Sequence, residues 1–384
     1  MSYDQSLLIV AAEESSCKYA LKVMSYLKTL NNKINFWGVG NKEMQDHGFL
    51  RTGNSEDLAV MGLFEILKNQ KKIRSAYTGI LNQCDIKKTK VALLLDYGGF
   101  NLRLAKSLKL KGIKVIYYIP PKIWVWKKNR VYKIKKYVDE VLVVHPFEVD
   151  FYKKYDVKAQ YVGHPLLEEF NNYKSKYSSL EPFKKKLGLD GSLNLGLMPG
   201  SRNSEVERLL NLTLDTAEKV LKLKSNINIS VLVAPGFEID DFKNRLNKKY
   251  EFPIHFVKED SWKMIDLCDY MITASGTATL QVGLLKKPQI VVYKMNPVSA
   301  ILAKIIVTGI KYFGLVNLIL DRQICPEYFQ GAAKVEVMAA KVVDLMQNKN
   351  NLRSKMLDDY SELETHLKGP GAAKLVSESV LKYL

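Results

Sequence analysis

Short apolar runs alternate with amphipathic segments along most of the chain. The runs lack a polar face, which is typical of parallel strands that helices cover on both sides. In the first half they predict strands at Ser6–Ala12, Ile34–Gly38, Val91–Asp96, Lys114–Ile119, Glu140–Val144 and Ala159–Val162. Helical patterns lie between them, at Asn101–Leu110, Lys127–Tyr137 and Glu148–Tyr155. This alternation predicts a layered α/β domain.

A second α/β series follows a polar segment, residues 166–187, which has no apolar strand and in which we expect a domain linker. Its predicted strands are Leu193–Met198, Ile227–Val233, Ile254–Val257, Tyr270–Thr273 and Gln289–Tyr293, with helices at Ser204–Leu223 and Gly276–Leu285. We therefore expect two Rossmann-like, doubly wound parallel-sheet domains, residues 1–168 and 188–366, that face a cleft. Ligands of such sheets bind beyond the carboxyl ends of the strands.

The composition narrows the class of protein. The 384 residues are 47% hydrophobic and 26% charged, which excludes a disordered, collagen-like or coiled-coil chain. Lys and Arg number 58 against 40 Asp and Glu, a surplus of 18 positive charges. That surplus predicts an anionic partner: nucleic acid, a phosphate-rich substrate or an acidic membrane surface.

The cysteines and the apolar stretches indicate the compartment. Four scattered cysteines form no CxxC pair, which predicts neither structural zinc nor a disulfide scaffold and favours a reducing compartment. The N-terminal apolar run is too short for a signal peptide. Two lysines interrupt residues 301–320, which disfavours a spanning helix but not one that lies on a membrane surface. We expect a cytoplasmic protein, free or peripheral to a membrane.

Two strand–turn–helix motifs in the second half resemble anion sites. The first is Pro199-Gly200-Ser201-Arg202, after which Ser204 is expected to cap a helix, and the second is Ala274-Ser275-Gly276-Thr277. Exposed amides, hydroxyls and an arginine at a helix N-terminus favour phosphate. An ordinary capped turn or tight helix packing explains either motif alone, but together they predict a nucleotide-diphosphate site.

Residues 97–138 contain 12 Lys or Arg and no Asp or Glu. Within them Trp124 and Trp126 alternate with cations that include Arg130. These residue types suit a membrane interface, and they also stack on nucleic-acid bases. A solvated basic face over two core tryptophans is the third interpretation.

Asp96 closes an apolar strand at the edge where the predicted cleft lies. A carboxylate there can act as a general base, although helix capping is the more common role. His145 and His164 also follow strands, and we expect both to be structural. The sequence has no Asp-x-Asp motif and no P-loop, which disfavours a metal-bridged diphosphate site and a nucleoside triphosphatase.

Several segments together resemble the lipid-A-disaccharide synthase family, which are inverting glycosyltransferases of the two-Rossmann-domain (GT-B) type. In the first half the matching segments are Phe100–Lys106, Ile123–Trp126 with Arg130 and Val131, Pro146–Glu148 and Gly163–Leu166. In the second half they are Pro199–Arg202 with Ser204–Val206, Ala274–Leu280, Asn317–Leu318, Pro326–Glu327 and Gln330. Their order and spacing over residues 1–373 make the resemblance specific.

The resemblance implies a metal-independent hexosyltransferase without a cofactor. It would join UDP-2,3-diacylglucosamine to 2,3-diacylglucosamine 1-phosphate with inversion, forming UDP and a β(1→6) disaccharide in lipid A (lipopolysaccharide) biosynthesis. The expected partner is the anionic inner face of the cytoplasmic membrane, with no nucleic acid, and a homo-oligomer is left open.

The resemblance also implies roles for single residues. Asp96 and Arg202 would be catalytic, as the base and as the group that stabilises the departing diphosphate. The expected donor residues are Gly200, Ser201, Arg202, Ser275, Gly276, Thr277, Asn317, Glu327 and Gln330. The residues expected to face the acceptor or the membrane are Glu13, Ser15, Asn101, Trp124, Trp126 and Arg130. A C-terminal helix at residues 371–384 would return to the N-terminal domain.

A few positions depart from the family's pattern. Ala12, Ser16 and Cys17 replace two glycines and an Asp, Gly99 replaces a second Asp near Asp96, and Gln281 replaces a Glu. Loss of a carboxylate from an acid–base site lowers a rate by about 10²–10⁴-fold. The alternatives are therefore a relative that binds UDP-sugar or membrane without turnover, a UDP-sugar epimerase on the same scaffold, and a nucleic-acid-binding protein.

Overall fold

A computed structural model of the chain describes residues 5–55, 70–124, 128–176, 179–189, 192–295 and 311–384. The chain divides into two compact units. The first contains Met1–Pro165 together with Leu367–Leu384, and the second contains Leu166–His366.

The first unit is a seven-stranded parallel sheet of order β3-β2-β1-β4-β5-β6-β7. Its strands are β1 (Gln5–Ala11), β2 (Ile34–Gly40), β3 (Leu50–Asn54), β4 (Val91–Leu95), β5 (Lys114–Tyr118), β6 (Glu140–Val143) and β7 (Ala159–Tyr161). Its helices are α1 (Glu14–Leu30), α2 (Lys42–Asp46), α3 (Gln70–Ile86), α4 (Gly98–Leu110), α5 (Arg130–Tyr137) and α6 (Pro146–Lys153).

Successive residues of the central strands enter two different cores. Leu8 and Val10 of β1 pack with one group of buried side chains, whereas Leu7 and Ile9 pack with another. Because strand side chains alternate between the two faces, a sheet with a core on each face needs uninterrupted apolar strands. This is the physical reason for the apolar runs in the sequence.

The second unit is a six-stranded parallel sheet of order β10-β9-β8-β11-β12-β13. Its strands are β8 (Leu193–Met198), β9 (Ile227–Leu232), β10 (Ile254–Val257), β11 (Tyr270–Ala274), β12 (Gln289–Tyr293) and β13 (Glu327–Phe329). Its helices are α7 (Pro165–Ser175), α8 (Glu181–Lys186), α9 (Asn203–Leu223), α10 (Ile239–Lys243), α11 (Ser261–Asp266), α12 (Ala278–Leu284), α13 (Leu315–Ile319), α14 (Val335–Met346) and α15 (Leu352–Leu367). The predicted class, two parallel α/β sheets, is confirmed.

The segment that we expected to be a linker forms helices α7 and α8. Leu166 and Phe170 lie one helical turn apart, and both are buried. The Phe170 ring packs on Trp262 at 5.6 Å, and the Tyr173 hydroxyl donates to Asp266 at 3.0 Å. The many polar residues of this segment concealed an apolar stripe, which covers the second sheet.

A last helix, α16 (Ala372–Leu381), belongs to the first unit and packs on α1. Val376 and Val380 enter the same core as Leu7 and Ile9. The returning chain passes close to the end of β7, where Gly369 lies so near Gly163 that neither position has room for a Cβ. None of the helices in the described residues is both long and apolar enough to cross a membrane.

Candidate active site

Strands β1, β4 and β5 of the first unit end at the same edge of the sheet. Ala11 pairs with Leu95, and Leu95 pairs with Tyr118. The segments that follow these strands carry Glu13, Asp96 and the loop that leads to α5. The structure therefore brings together several residues expected on the acceptor side, at the edge where parallel sheets bind ligands.

Asp96 and Tyr97 form the turn between β4 and α4. Both have a left-handed backbone, with φ of 47° and 44°. The carbonyl oxygen of Asp96 accepts hydrogen bonds from Asn101 Nδ2 at 2.9 Å and from the Tyr117 hydroxyl at 2.7 Å. The N-cap position of α4 is taken by Tyr97 rather than by Asp96, which is half-buried.

Gly98 allows the neighbouring loop to approach the start of α4. A Cβ at this position would lie 2.5 Å from Cβ of Pro121 and 3.3 Å from Nη1 of Arg130. Burial raises the pKa of the Tyr117 hydroxyl well above its usual value, the charge of Asp96 raises it further, and that of Arg130 lowers it. Carboxylate and guanidinium thus act on the same hydroxyl and share one neighbourhood.

The start of α1 contributes a carboxylate to this neighbourhood. Burial raises the pKa of Tyr97, and Glu13 raises it further, so the two side chains are within electrostatic reach. Ser15 is exposed, whereas the departing residues Ser16 and Cys17 are buried, and Cys17 Sγ donates to a β1 carbonyl at 3.4 Å. These two departures change the packing beneath the turn rather than its exposed side.

Asn101 and Gly99 lie on opposite sides of the first turn of α4. We expected Asn101 to face the acceptor or the membrane, but it is 0% exposed and donates to the carbonyls of Leu95, at 3.0 Å, and Asp96. Gly99 is exposed, and no atom lies within 4 Å of a Cβ built there. The carboxylate that the family carries at position 99 is thus missing from an open position.

A second polar group lies beyond the ends of β5, β6 and β7. Glu148 is 2% exposed and accepts hydrogen bonds from Trp124 Nε1 at 3.0 Å and from the main-chain N–H of His145 at 3.1 Å. The His145 ring stacks on Phe147 at 5.4 Å and lies 5.3 Å from the ring of His164. Trp124 is half-buried and is held by a carboxyl group inside the protein.

Burial sets the charges in this group. It raises the pKa of Glu148 to about 7, although the hydrogen bonds from Trp124 and His145 and the charge of Lys122 lower it. Burial also lowers the pKa of His145 well below its usual value and that of His164 to about 3, and Lys122 adds to both effects. Both imidazoles are therefore neutral at neutral pH, as structural histidines would be. The sequence gave no signal that Glu148 is buried.

Helix α5 carries the exposed part of the basic–aromatic segment. Its buried side is formed by Val131 and Ile134. Tyr132 is 60% exposed, and the lysines at positions 133, 135 and 136 are exposed beside it. Trp126 lies outside the described residues, so its role stays a prediction.

In the second unit, the turn after β8 places Arg202 at the N-cap of α9. Gly200 has a φ of 123°, and a Cβ there would collide with Glu205. The Glu205 carboxylate accepts from the Ser201 N–H at 3.0 Å and from Arg202 Nη1 at 3.4 Å. The predicted cap by Ser204 is wrong, because the helix begins one residue earlier. An internal carboxylate thus engages the donors of this turn.

The second predicted anion turn follows β11. The Ser275 N–H donates to the Val292 carbonyl at 3.1 Å, and its hydroxyl donates to the Phe313 carbonyl at 2.8 Å. Gly276 has a φ of 154° with no atom within 4 Å of a Cβ built there, and Thr277 is exposed. The open part of this turn is therefore Gly276 and Thr277.

Three further donor residues cluster around the loop before α13. Glu327 accepts from the N–H of Phe313 at 2.7 Å, from the next N–H at 2.9 Å and from Asn317 Nδ2 at 2.7 Å. Asn317 is 0% exposed, and Gln330 pairs with both main-chain polar atoms of Met295, at 3.1 and 3.2 Å. Asn317 thus shapes this region from within the protein.

An aromatic stack that the sequence did not reveal adjoins both groups. The rings of Phe313 and Phe329 are 4.5 Å apart and nearly parallel, and Tyr293 stacks on Phe329 at 5.8 Å. Burial raises the pKa of Tyr293, Glu205 raises it further, and Arg202 lowers it. The stack therefore lies within electrostatic reach of the Arg202 turn.

The described part of the chain holds no cluster of three or more His, Cys, Asp or Glu side chains that could bind a metal ion. The position of Gln281 is also defined: its Nε2 donates to the Ser261 hydroxyl at 3.0 Å and links α12 to α11.

Comparison with known sequences assigns the chain to a family. The family model for lipid-A-disaccharide synthetase matches residues 7–377. The lipid-A-disaccharide synthase of Nitrosococcus oceani is 34% identical over 376 residues, which cover 98% of this chain and 95% of that protein. The synthase of Myxococcus xanthus is 31% identical over 385 residues, which cover 100% of this chain and 99% of that protein.

Solved structures show the same fold at low sequence identity. UDP-GlcNAc 2-epimerase from Neisseria meningitidis superposes with a TM-score of 0.62 at 12% identity, covering 98% of this chain and 100% of its own. MurG from Acinetobacter baumannii superposes with a TM-score of 0.58 at 14% identity, covering 98% and 99%. These likenesses concern the fold alone. The nearly full-length sequence matches go further, and by them the chain belongs to the lipid-A-disaccharide synthetase family of glycosyltransferases.

Proposed function

We propose that the chain transfers 2,3-diacylglucosamine from its UDP donor to 2,3-diacylglucosamine 1-phosphate with inversion. The products would be UDP and a β(1→6) disaccharide of lipid A biosynthesis. The observation that carries this proposal is the match of residues 7–377 to one family. It is supported by polar residues of the family pattern at the carboxyl ends of the parallel strands in both units.

The first unit would supply the base. The 6-hydroxyl oxygen of the acceptor forms a bond to the anomeric carbon while the bond from that carbon to the UDP oxygen breaks. UDP leaves with the bonding electron pair, and Asp96 accepts the hydroxyl proton. Asp96 is favoured for this role because it is half-buried at the sheet edge, in the neighbourhood of Arg130.

The second unit would stabilise the leaving group. Negative charge grows on the diphosphate as it departs, and donors that are already in place lower the barrier most effectively. The Arg202 side chain is 52% exposed, and its partner at present is the Glu205 carboxylate. We propose that the diphosphate replaces this carboxylate on Arg202 and on the Ser201 N–H, and that the amides of Gly276 and Thr277 add to the site.

Glu327 would hold the ribose hydroxyls of the donor. Its carboxylate is fixed by main-chain N–H groups and by Asn317. A carboxylate oxygen has a second lone pair, so these bonds leave it able to accept from a hydroxyl. Asn317 and Gln330 would then act on the donor through the loop that they hold.

The acylated substrates suggest a membrane location, at the inner face of the cytoplasmic membrane. Helix α5 exposes Tyr132 beside three lysines, and each lysine near anionic headgroups contributes about 1 kcal/mol. The protein would therefore be peripheral and would bind vesicles that contain anionic lipid more tightly than neutral ones.

The test is UDP release by the purified protein with the diacyl donor, with and without the diacyl acceptor, in detergent and EDTA. Release that requires the acceptor and persists in EDTA is expected for a metal-independent synthase. UDP binding without release would leave a binding-only relative in its place. Conversion of the donor into another UDP-sugar without acceptor would instead identify an epimerase.

A further inference from the structure

We propose that Asn101 and Tyr117 are positioning residues, which hold the turn at Asp96 so that its carboxylate meets the acceptor hydroxyl. This inference rests on the proposed function, in which Asp96 is the base. It assigns a task in the reaction to two side chains that are too deeply buried to touch substrate.

The turn has an unfavourable backbone conformation. Asp96 and Tyr97 are consecutive non-glycine residues with positive φ. L-residues seldom adopt this region, and they persist there only where the surrounding structure holds them; such residues cluster at functional sites. A turn of this kind would relax if its hydrogen bonds were removed, and the Asp96 side chain would then leave its direction.

Asn101 holds the turn from inside α4. Its single amide nitrogen donates to two successive carbonyls, Leu95 at 3.0 Å and Asp96 at 2.9 Å. Its Oδ1 is buried and finds no hydrogen-bond partner in the described part of the chain. A buried acceptor without a partner lowers stability, so the two donated bonds are the reason to keep an asparagine here.

Tyr117 holds the turn from the adjacent strand. Its ring is fully buried in β5, and its hydroxyl donates to the Asp96 carbonyl at 2.7 Å. Burial and the Asp96 charge raise the pKa of this hydroxyl well above its usual value, so it stays protonated and remains a donor. The carbonyl of Asp96 is thus held from two directions, by α4 and by β5.

The same core contains a matched control. Tyr152 in α6 is as deeply buried as Tyr117 and belongs to the same group of packed side chains. Its hydroxyl has no hydrogen-bond partner in the described residues. Tyr117→Phe and Tyr152→Phe therefore remove the same atom from the same core, but only the first removes a bond to Asp96.

The test compares these two variants with Asp96→Ala in the acceptor-dependent UDP-release assay. Active protein is counted by UDP binding, since the donor residues lie in the second unit. Misplacement by about 1 Å can cost on the order of 100-fold in rate. We therefore expect Tyr117→Phe to lower kcat between about tenfold and 100-fold, with the donor KM and the melting temperature near those of Tyr152→Phe.

Each outcome decides one point. If Tyr117→Phe keeps the kcat of Tyr152→Phe while Asp96→Ala is inactive, the base stands and the positioning role is wrong. If Asp96→Ala is as active as the wild type, the base is wrong and the positioning role falls with it. Asn101→Ala serves as a second variant, and a folded Asn101→Ala protein with wild-type kcat would also overturn the proposal.

Discussion

The ligand-binding edges of the two sheets prepare for chemistry in different ways. At the edge of the first sheet, Asp96 sits in a strained turn, held by buried side chains such as Asn101. At the edge of the second sheet, the backbone donors are satisfied by carboxylates of the protein itself, Glu205 and Glu327. The first edge fixes the direction of one reactive group, whereas the second holds an anion in the place proposed for the anionic ligand.

This difference teaches that the two edges should respond differently to mutation. Strain must be maintained by its surroundings, so the first edge should be sensitive to buried substitutions that never touch substrate. An anion site depends on charge balance, so the second edge should respond to substitutions that change charge and less to those that change shape. Four predictions test this contrast.

The largest effect is expected at Asp96. Asp96→Asn keeps the size of the side chain but cannot accept a proton, so kcat should fall by about 10²–10⁴-fold. The donor KM should change little. Acceptor-dependent UDP release measures both constants. Asp156→Asn, at a carboxyl whose side chain is 91% exposed, is the matched control, and equal rates in the two variants would exclude Asp96 as the base.

At the second edge, Arg202→Ala should lower kcat/KM by about 10²–10³-fold, because the departing diphosphate loses a fixed cation. Glu205→Gln should act in the opposite direction on binding. It removes a like charge from the site but keeps an oxygen that can accept from the Ser201 N–H. Calorimetry should therefore show tighter UDP binding by Glu205→Gln; weaker binding would mean that Glu205 orients Arg202 and is not displaced.

Glu148 allows a test of buried charge at the first edge. Its pKa is raised from the ordinary 4.5 to about 7. The folded state therefore binds the extra proton between these values, and the stability that this proton provides is present below pH 4.5 and lost as pH rises through 7. Glu148→Gln cannot ionise, so it should gain about 3 kcal/mol relative to the wild type between pH 4.5 and 8.

The measurement is urea unfolding followed by tryptophan fluorescence at several pH values. The depressed pKa values of His145 and His164 act with the opposite sign, because these residues favour the folded state at higher pH and destabilise it as pH falls below their ordinary value. They are present in both proteins and cancel in the difference. A difference that does not depend on pH would show that Glu148 is already ionised when folded.

The smallest effect is expected at Gly99. Gly99→Asp replaces a helical glycine in the first turn of α4 with a residue whose charge favours a helix N-terminus, which should stabilise the protein by about 1 kcal/mol. It restores the family's carboxylate at an open position, so kcat should rise. Gly98→Asp is the control, because its side chain would collide with Pro121. Thermal unfolding and UDP release measure both variants; a lower kcat in Gly99→Asp would show that the family's acid has no place here.

The sequence predicted the fold well where burial alone decides it. The apolar runs at Leu193–Met198, Ile254–Val257 and Gln289–Tyr293 became strands with the predicted bounds. It missed β3 because this edge strand has exposed positions alternating with half-buried ones and no apolar run. It missed β13 because three residues are too few to show a pattern.

The residue types at both edges could be predicted, but their partners could not. Asp96 and Arg202 carry recognisable motifs at strand ends. The bonds from Trp124 to Glu148 and from Tyr117 to Asp96 join residues 24 and 21 positions apart, and they depend on which strands are neighbours. Pairing of this kind is a property of the folded sheet, so no local pattern announces it.

The two places where the chain crosses between the units have a consequence for synthesis. The His164 N–H donates to the Leu367 carbonyl, beside the close approach of Gly163 to Gly369. The second unit is therefore inserted into the first, and the whole of it leaves the ribosome before α16 does. Until α16 arrives, the apolar side of α1 lacks its cover. The first unit to be translated is thus the last to close, and a chain that stops short of Ala372 carries an open core that proteases can recognise.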